Sequence, residues 1–464
     1  MLRSLFLTLV YLSFICLGVA APFVLTLGYV WVDTFQPQAV AYIILNQIPV
    51  ALIMGVAALA SYFLMDRRSP PNITLPTVLT VTMGVWVTVT MLWAEVPAQG
   101  WIKWDWAFKT IMFSAFVPLV IRSRTQIEAF AQTYVFSLAA NFVPFGLKVM
   151  ISGGGYGRNL GLENGNSNLA EGGHLSTACL MAIPVALFLG RNTQLLPRSR
   201  WVMLGYVGLA GLALLTALGT YERSALVGLV ALGLYMFMRS RNKLLFGLCL
   251  AGVGLAVVYA SSSAWTSRID TVAHPMEEDS ALTRILIWKW TLGYIATHPW
   301  GGGFMVWLMS RIEYPSGLVV FGRAFHSIYF EVLGEQGVVG LALFLGLACW
   351  AFVTLRSLAR QTRDIPHLAW CADMSNALQS GLAVMLTAGA FVGIGFQPEF
   401  WYFIAMSVSL REYVRRVVQQ RPAPLGWRAR LSTAEAAPGA GAAAAGAAAA
   451  GAAASSWRHR RAIG

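Results

Sequence analysis

The chain has 464 residues, 57% hydrophobic and 11% charged, with a formal net charge of +13. A soluble domain carries about 25% charged residues, so this chain has too little charge to cover a water-exposed surface. The positive balance does not point to nucleic acid, because Lys and Arg stand in short clusters between long apolar runs, the pattern of membrane topology. The 17 tryptophans fit the same setting, since indole favours the headgroup region. Cys16, Cys179, Cys249, Cys349 and Cys371 show neither CxxC nor zinc-ligand spacing.

A hydrocarbon core of about 30 Å needs about 20 apolar residues as helix. Twelve runs meet or approach this: 4–30, 39–64, 74–94, 105–121, 127–150, 171–190, 201–219, 223–238, 243–261, 337–356, 376–396 and 399–413. The first continues past Ala21 to about Val32 and is expected to stay as an uncleaved helix. The last two are short enough to form a hairpin that does not fully cross. With the N-terminus cytoplasmic, every inner loop is basic: Arg67/Arg68, Arg122/Arg124, Arg191/Arg198/Arg200, Arg239/Arg241/Lys243 and Arg356/Arg360/Arg363. Both ends are then expected inside.

Two outer segments are long. Residues 151–170 are rich in Gly and Asn, and 262–336 form the longest polar stretch. The second is expected to hold an amphipathic helix near Leu282–Thr297, with Ile285, Trp288 and Leu292 on one face, broken by Pro299 and Gly301–Gly303. The Ala/Gly-rich residues 417–464 read as a disordered tail.

Cations outside the cytoplasmic clusters need a reason. Arg223 opens a span after a very short outer turn; it either pairs with Glu222 or binds an anion, for which its planar fork of donors is suited. Arg284 lies on the amphipathic helix, and Arg158 in a Gly-rich stretch without the context of a nucleotide-binding loop. Arg311 and Arg323 flank the same outer region. His326 stands where the long outer loop meets a span, and a histidine with an ordinary pKa near 6.5 can take a proton at neutral pH. Glu331 and Glu335 follow it one helical turn apart. His174 opens another span at the outer side. Trp288, Trp290, Trp300 and Trp307 suit interfacial anchoring or sugar stacking. No metal motif is present.

Arg223-Ser-Ala-Leu-Val227, then Ser280-Ala-Leu-Thr-Arg284-Ile-Leu-Ile-Trp288 with His298-Pro-Trp-Gly-Gly-Gly303, then His326 and, after ten intervening residues, Gly337, follow one another in order. Together they resemble the O-antigen ligase and polymerase (Wzy/WaaL) superfamily of membrane glycosyltransferases. Leu169-Ala-Glu-Gly-Gly-His-Leu-Ser-Thr-Ala178 is similar to a stretch of its O-glycosylation ligase subgroup associated with exosortase systems. Val227 and Ser327 depart from the family pattern.

The resemblance implies an all-α, GT-C-type polytopic fold of about 12 transmembrane helices with a large periplasmic loop. Residues 1–150 and 351–416 would be flanking transmembrane regions and 151–350 the catalytic core. It implies transfer of a glycan from undecaprenyl diphosphate to an acceptor hydroxyl at the periplasmic face of the bacterial inner membrane, without cofactor or metal. The acceptor would be lipid A core, a growing polysaccharide or a protein, the last two making it a repeat-unit polymerase or a protein O-oligosaccharyltransferase. His326, Arg284 and Arg223 would be catalytic; Arg158, Arg323, Arg311 and His174 would contact diphosphate or glycan. A 12-helix transporter is the reading from a different class.

Overall fold

In hydrocarbon every backbone N–H and C=O needs an internal partner, so apolar runs of this length fold as helices. The computed structural model describes residues 2–41, 43–65, 73–152, 171–239 and 279–419, with isolated positions at 169, 242–244 and 247. Its helices are α1 (Leu2–Ala20), α2 (Phe23–Phe35), α3 (Pro37–Val40), α4 (Val50–Met65), α5 (Leu75–Val89), α6 (Pro97–Val120), α7 (Arg124–Ser152), α8 (Gly172–Asn192), α9 (Arg200–Gly219), α10 (Arg223–Arg239), α11 (Asp279–Thr297), α12 (Ile328–Thr362), α13 (Ala369–Ala388) and α14 (Pro398–Gln419). Two short antiparallel strands, β1 (Arg311–Glu313) and β2 (Val319–Phe321), pair with Ile312 opposite Val320. Six of the described helices are long and apolar enough to cross a membrane; the chain is an all-α polytopic membrane protein. Residues to Val414 form one compact unit; of the second, Arg415–Gly464, only the end of α14 is described. The expected span 243–261 lies mostly outside the described residues, as do the 153–168 segment and the Ala/Gly tail.

The first expected span is corrected. Instead of one helix over 4–30, the chain turns at Ala21-Pro22 and α2 folds back along α1. Gly18 allows the close approach: a Cβ there would lie 2.3 Å from Leu25 Cγ. Further along the pair, the Phe14 and Trp31 rings are 5.6 Å apart. Splitting one span into two changes the alternation, so a cytoplasmic N-terminus no longer follows from it. The closing helices are longer than their apolar cores: α13 has 20 residues and α14 has 22, about 30 Å or more at 1.5 Å per residue.

The basic clusters collect at one end of the bundle. Arg124 at the start of α7 donates from Nη2 to Asn192 O at the end of α8 (3.1 Å) and lies over the Trp370 ring at the start of α13. Asn192 Nδ2 in turn donates to Asp373 Oδ2 (3.2 Å). At the opposite end, α8 and α14 begin side by side, where buried His174 Nε2 lies 3.0 Å from Glu399 Oε1.

The outer region between α11 and α12 is an ordered cap at that opposite end. Its core is Ile287, Val306, Ile312 and Phe325, with Trp288, Tyr294 and Tyr314 packed around it. The buried stripe of α11 therefore centres on Ile287 and Thr291. Of the expected face, Trp288 is half-buried, while Ile285 and Leu292 are exposed, because β1 and Phe325 pack on the side carrying Ile287.

Helix α12 is kinked at Gly337, whose φ is +67° and ψ −167°. Trp300–Gly303 lies against this kink. Gly302 N–H donates to Gly334 O, Gly303 N–H to Glu335 O and Val338 N–H to Pro299 O, at 2.9–3.0 Å. A Cβ on Gly337 would meet Trp300 C at 2.3 Å, and one on Gly301 would meet Gly337 N at 2.4 Å. The spacing from His326 to Gly337 thus measures the short helical segment between the loop and the kink. Gly337→Ala should lower stability by ~2 kcal/mol or more, from left-handed strain and overlap with fixed backbone. Gly346→Ala, where a Cβ meets nothing within 4 Å, should be neutral or stabilising. Thermal unfolding in detergent distinguishes the two.

Candidate active site

His326 sits two residues before α12, half-buried, with φ +48°. Histidine tolerates this left-handed region better than most residues, and such conformations persist where the surroundings over-determine them. Among the described non-glycine residues, Tyr221 (φ 52°) and Met305 (φ 66°) share it at this end of the bundle.

The surroundings of His326 come mainly from α11. Arg284 and Trp288 are four residues apart and so share a helix face. Trp288 Nε1 donates to Phe325 O at 2.8 Å, and its ring stacks on Phe330 at 5.0 Å and 4°. One indole therefore holds the chain on both sides of His326. The hydroxyls of Thr283 and Tyr314 share a short hydrogen bond that ties α11 to the turn after β1.

Burial pushes the His326 pKa below its ordinary value, and the positive charges of Arg284 and Arg323 push it the same way; Glu331 opposes them. The ring is therefore held neutral and free to accept a proton near pH 7. Glu171, just before α8, lies within electrostatic reach of His174, Glu222, Glu331 and Arg284. The starts of α8, α10 and α12 and the helix α11 thus converge on one polar region.

Arg223 opens α10 half-buried, next to Glu222 and to Ser224, whose Oγ would lie 3.5 Å from a Cβ on Gly173 of α8. Arg323 is exposed beside His326, its backbone N–H bonded to Ser310 Oγ at 3.0 Å. Arg311 is exposed on β1, opposite Phe321. His174 is buried against Glu399, between the starts of α8 and α14. Arg158 lies outside the described residues.

Residues 208–345 match the family model described as O-antigen ligase. The chain carries an O-antigen ligase domain. The match supports a membrane protein of the ligase and polymerase type over that part of the chain. Residues 2–194 match a second model, a family of unknown function. No curated protein matches the chain significantly.

The O-antigen ligase domain rests on residues that motif reading left without a role. Lys103 of α6 reaches Glu331 Oε1 at 2.6 Å and both oxygens of Glu335 at 2.9 Å. The side chains of Glu331 and Glu335 are 9% and 0% exposed, that of Lys103 12%. The signal was in the sequence, because Lys103 is one of the cations outside the cytoplasmic clusters, but its partners lie more than two hundred residues away. Glu399, the partner of His174, gave no comparable signal. Arg284→Ala removes a cation that disfavours the protonated imidazole. The His326 titration, followed by NMR of histidine-labelled protein, should move to higher pH.

Proposed function

We propose that this protein transfers a glycan from undecaprenyl diphosphate to an acceptor hydroxyl at the periplasmic face of the bacterial inner membrane. The observation that carries the reading is His326, half-buried in a left-handed conformation and within electrostatic reach of Arg284, inside an O-antigen ligase domain. The basic loops would face the cytoplasm, which sets the end holding His326, Arg284 and Arg223 on the periplasmic side.

In the proposed step the acceptor oxygen attacks the anomeric carbon and passes its proton to His326. The bond from that carbon to the diphosphate breaks, and its electron pair leaves on the diphosphate oxygen. Attack opposite the leaving group inverts the anomeric centre. Arg284 and Arg223 would stabilise the negative charge as it collects on the diphosphate, a task that fixed cations perform without a metal; Arg158, outside the described residues, is proposed for the same task. Arg323 and Arg311, both exposed, would contact glycan or phosphate further out. A transporter would set its charges at mid-depth between two similar halves, whereas these residues gather at one end.

The acceptor decides between a ligase acting on lipid A core, a repeat-unit polymerase and a protein O-oligosaccharyltransferase. The exosortase-associated resemblance around His174 favours a ligase. Purified protein is to be assayed with a lipid-diphosphate glycan and each acceptor class. His326→Ala should lower transfer by about 10²- to 10⁴-fold and Arg284→Ala by about 10²- to 10³-fold, while EDTA leaves the rate unchanged. Normal transfer by both folded variants would overturn the site, and EDTA inhibition reversed by Mg²⁺ would overturn the metal-free step.

A further inference from the structure

The O-antigen ligase match begins at residue 208, yet the cation that meets its two buried carboxylates comes from the family of unknown function at 2–194. Lys103 is a hub for four segments. Through Glu331 it reaches the first turn of α12, and Glu331 Oε2 accepts Gly395 N–H (2.9 Å) from the α13–α14 connection. Through Glu335 it reaches the next turn, where Glu335 Oε1 also accepts Met305 N–H (3.0 Å). Phe304 and Phe396 flank the ammonium, with ring centroids 5.5 and 5.1 Å away. Both oxygens of Glu331 are thereby engaged on the side of Lys103 and Gly395, and its backbone N–H bonds Ser327 O, next to His326 (2.8 Å).

We infer that Lys103 is a positioning residue for His326: it holds Glu331 by its carboxylate and so fixes the start of α12 and the turn that carries the imidazole. The charged groups that face His326 are Arg284 from α11, Arg323 from its own loop and Glu331 from α12. Glu171, before α8, is within reach of Arg284 and Glu331. Glu331 is the member of the set that opposes the arginines, and it is the one Lys103 ties down. A buried carboxylate that loses its cation is uncompensated and takes up a proton more readily, so both the charge and the placement of Glu331 depend on Lys103. The N-terminal family segment therefore supplies a working part of the ligase domain rather than a separate membrane anchor.

This inference rests on His326 as the base of the proposed reaction. The test is the pH dependence of kcat/KM for glycan transfer by full-length protein in detergent or nanodiscs. Lys103→Met should lower kcat by about tenfold or more, as for a mispositioned reacting group, while KM for the donor changes little, and Lys103→Arg should recover most of the loss. Glu331→Gln, which removes the anion that opposes the arginines, should move the acidic limb to lower pH. Lys103→Met should move it the same way, because its uncompensated carboxylates take up protons. A limb that stays in place or moves to higher pH in either single variant, or a kcat that Lys103→Met leaves unchanged, would overturn the inference. If Lys103→Met does not insert, Glu331→Gln decides alone, and an unmoved limb overturns it. Full activity in His326→Ala would instead remove the base assignment itself, so the two failures are distinguishable.

Discussion

The site depends on one backbone contact, the seating of Pro299–Gly303 against the kink of α12. Three hydrogen bonds cross it, and no side chain fits between the two chains at Gly301 or Gly337. Around it the structure is over-determined. Trp86 Nε1 donates to Gln336 O, Thr90 Oγ1 to Gln336 Oε1 and Trp93 Nε1 to Gly301 O. Glu95 N–H bonds Gly302 O. The end of α5 and the connection from it to α6 thus satisfy backbone groups that a kinked helix and a glycine run leave open. With that seam closed, the segment carrying His326 has one available direction.

Charge is arranged in two layers about this seam. Toward the outer cap, Arg284 and Arg323 act on His326. Beneath it, Lys103 meets two carboxylates that also accept backbone N–H groups. Burying three ionisable groups costs several kcal/mol per ion unless each is paired and its remaining lone pairs are satisfied. Here both conditions hold for the carboxylates, and two aromatic rings flank the ammonium. The polar layer is therefore a tightly specified part of the protein in which a change at one member is felt by the others.

Much of this was legible in the chain. Apolar run lengths located α5 and the helices from α7 to α10 to within a few residues, while α6 starts at Pro97, eight residues before the expected 105, and the sorting of Arg and Lys located the two ends of the bundle. Among the motif residues, Trp288 bonds the residue before His326 and Gly301–Gly303 pack on Gly337. What escaped reading has physical causes. The turn at Ala21-Pro22 interrupts a run whose hydropathy is continuous, so composition alone could not show it. The buried side of α11 was misplaced by one residue, because in an outer helix one apolar face meets protein and another can stay exposed. The partnerships of Lys103 and His174 link residues far apart in the chain, and pairing at that distance leaves no local periodicity.

The kink at Gly337 divides α12 into a short segment, held by the cap and by Lys103, and a long apolar continuation to Thr362. The change of direction at Gly337 gives the long portion an axis of its own, while the segment bearing Glu331 and Glu335 keeps the orientation set by its loop contacts. One helix thereby serves two purposes, its long part as an anchor among its neighbours and its short part as a mount for the turn that holds His326.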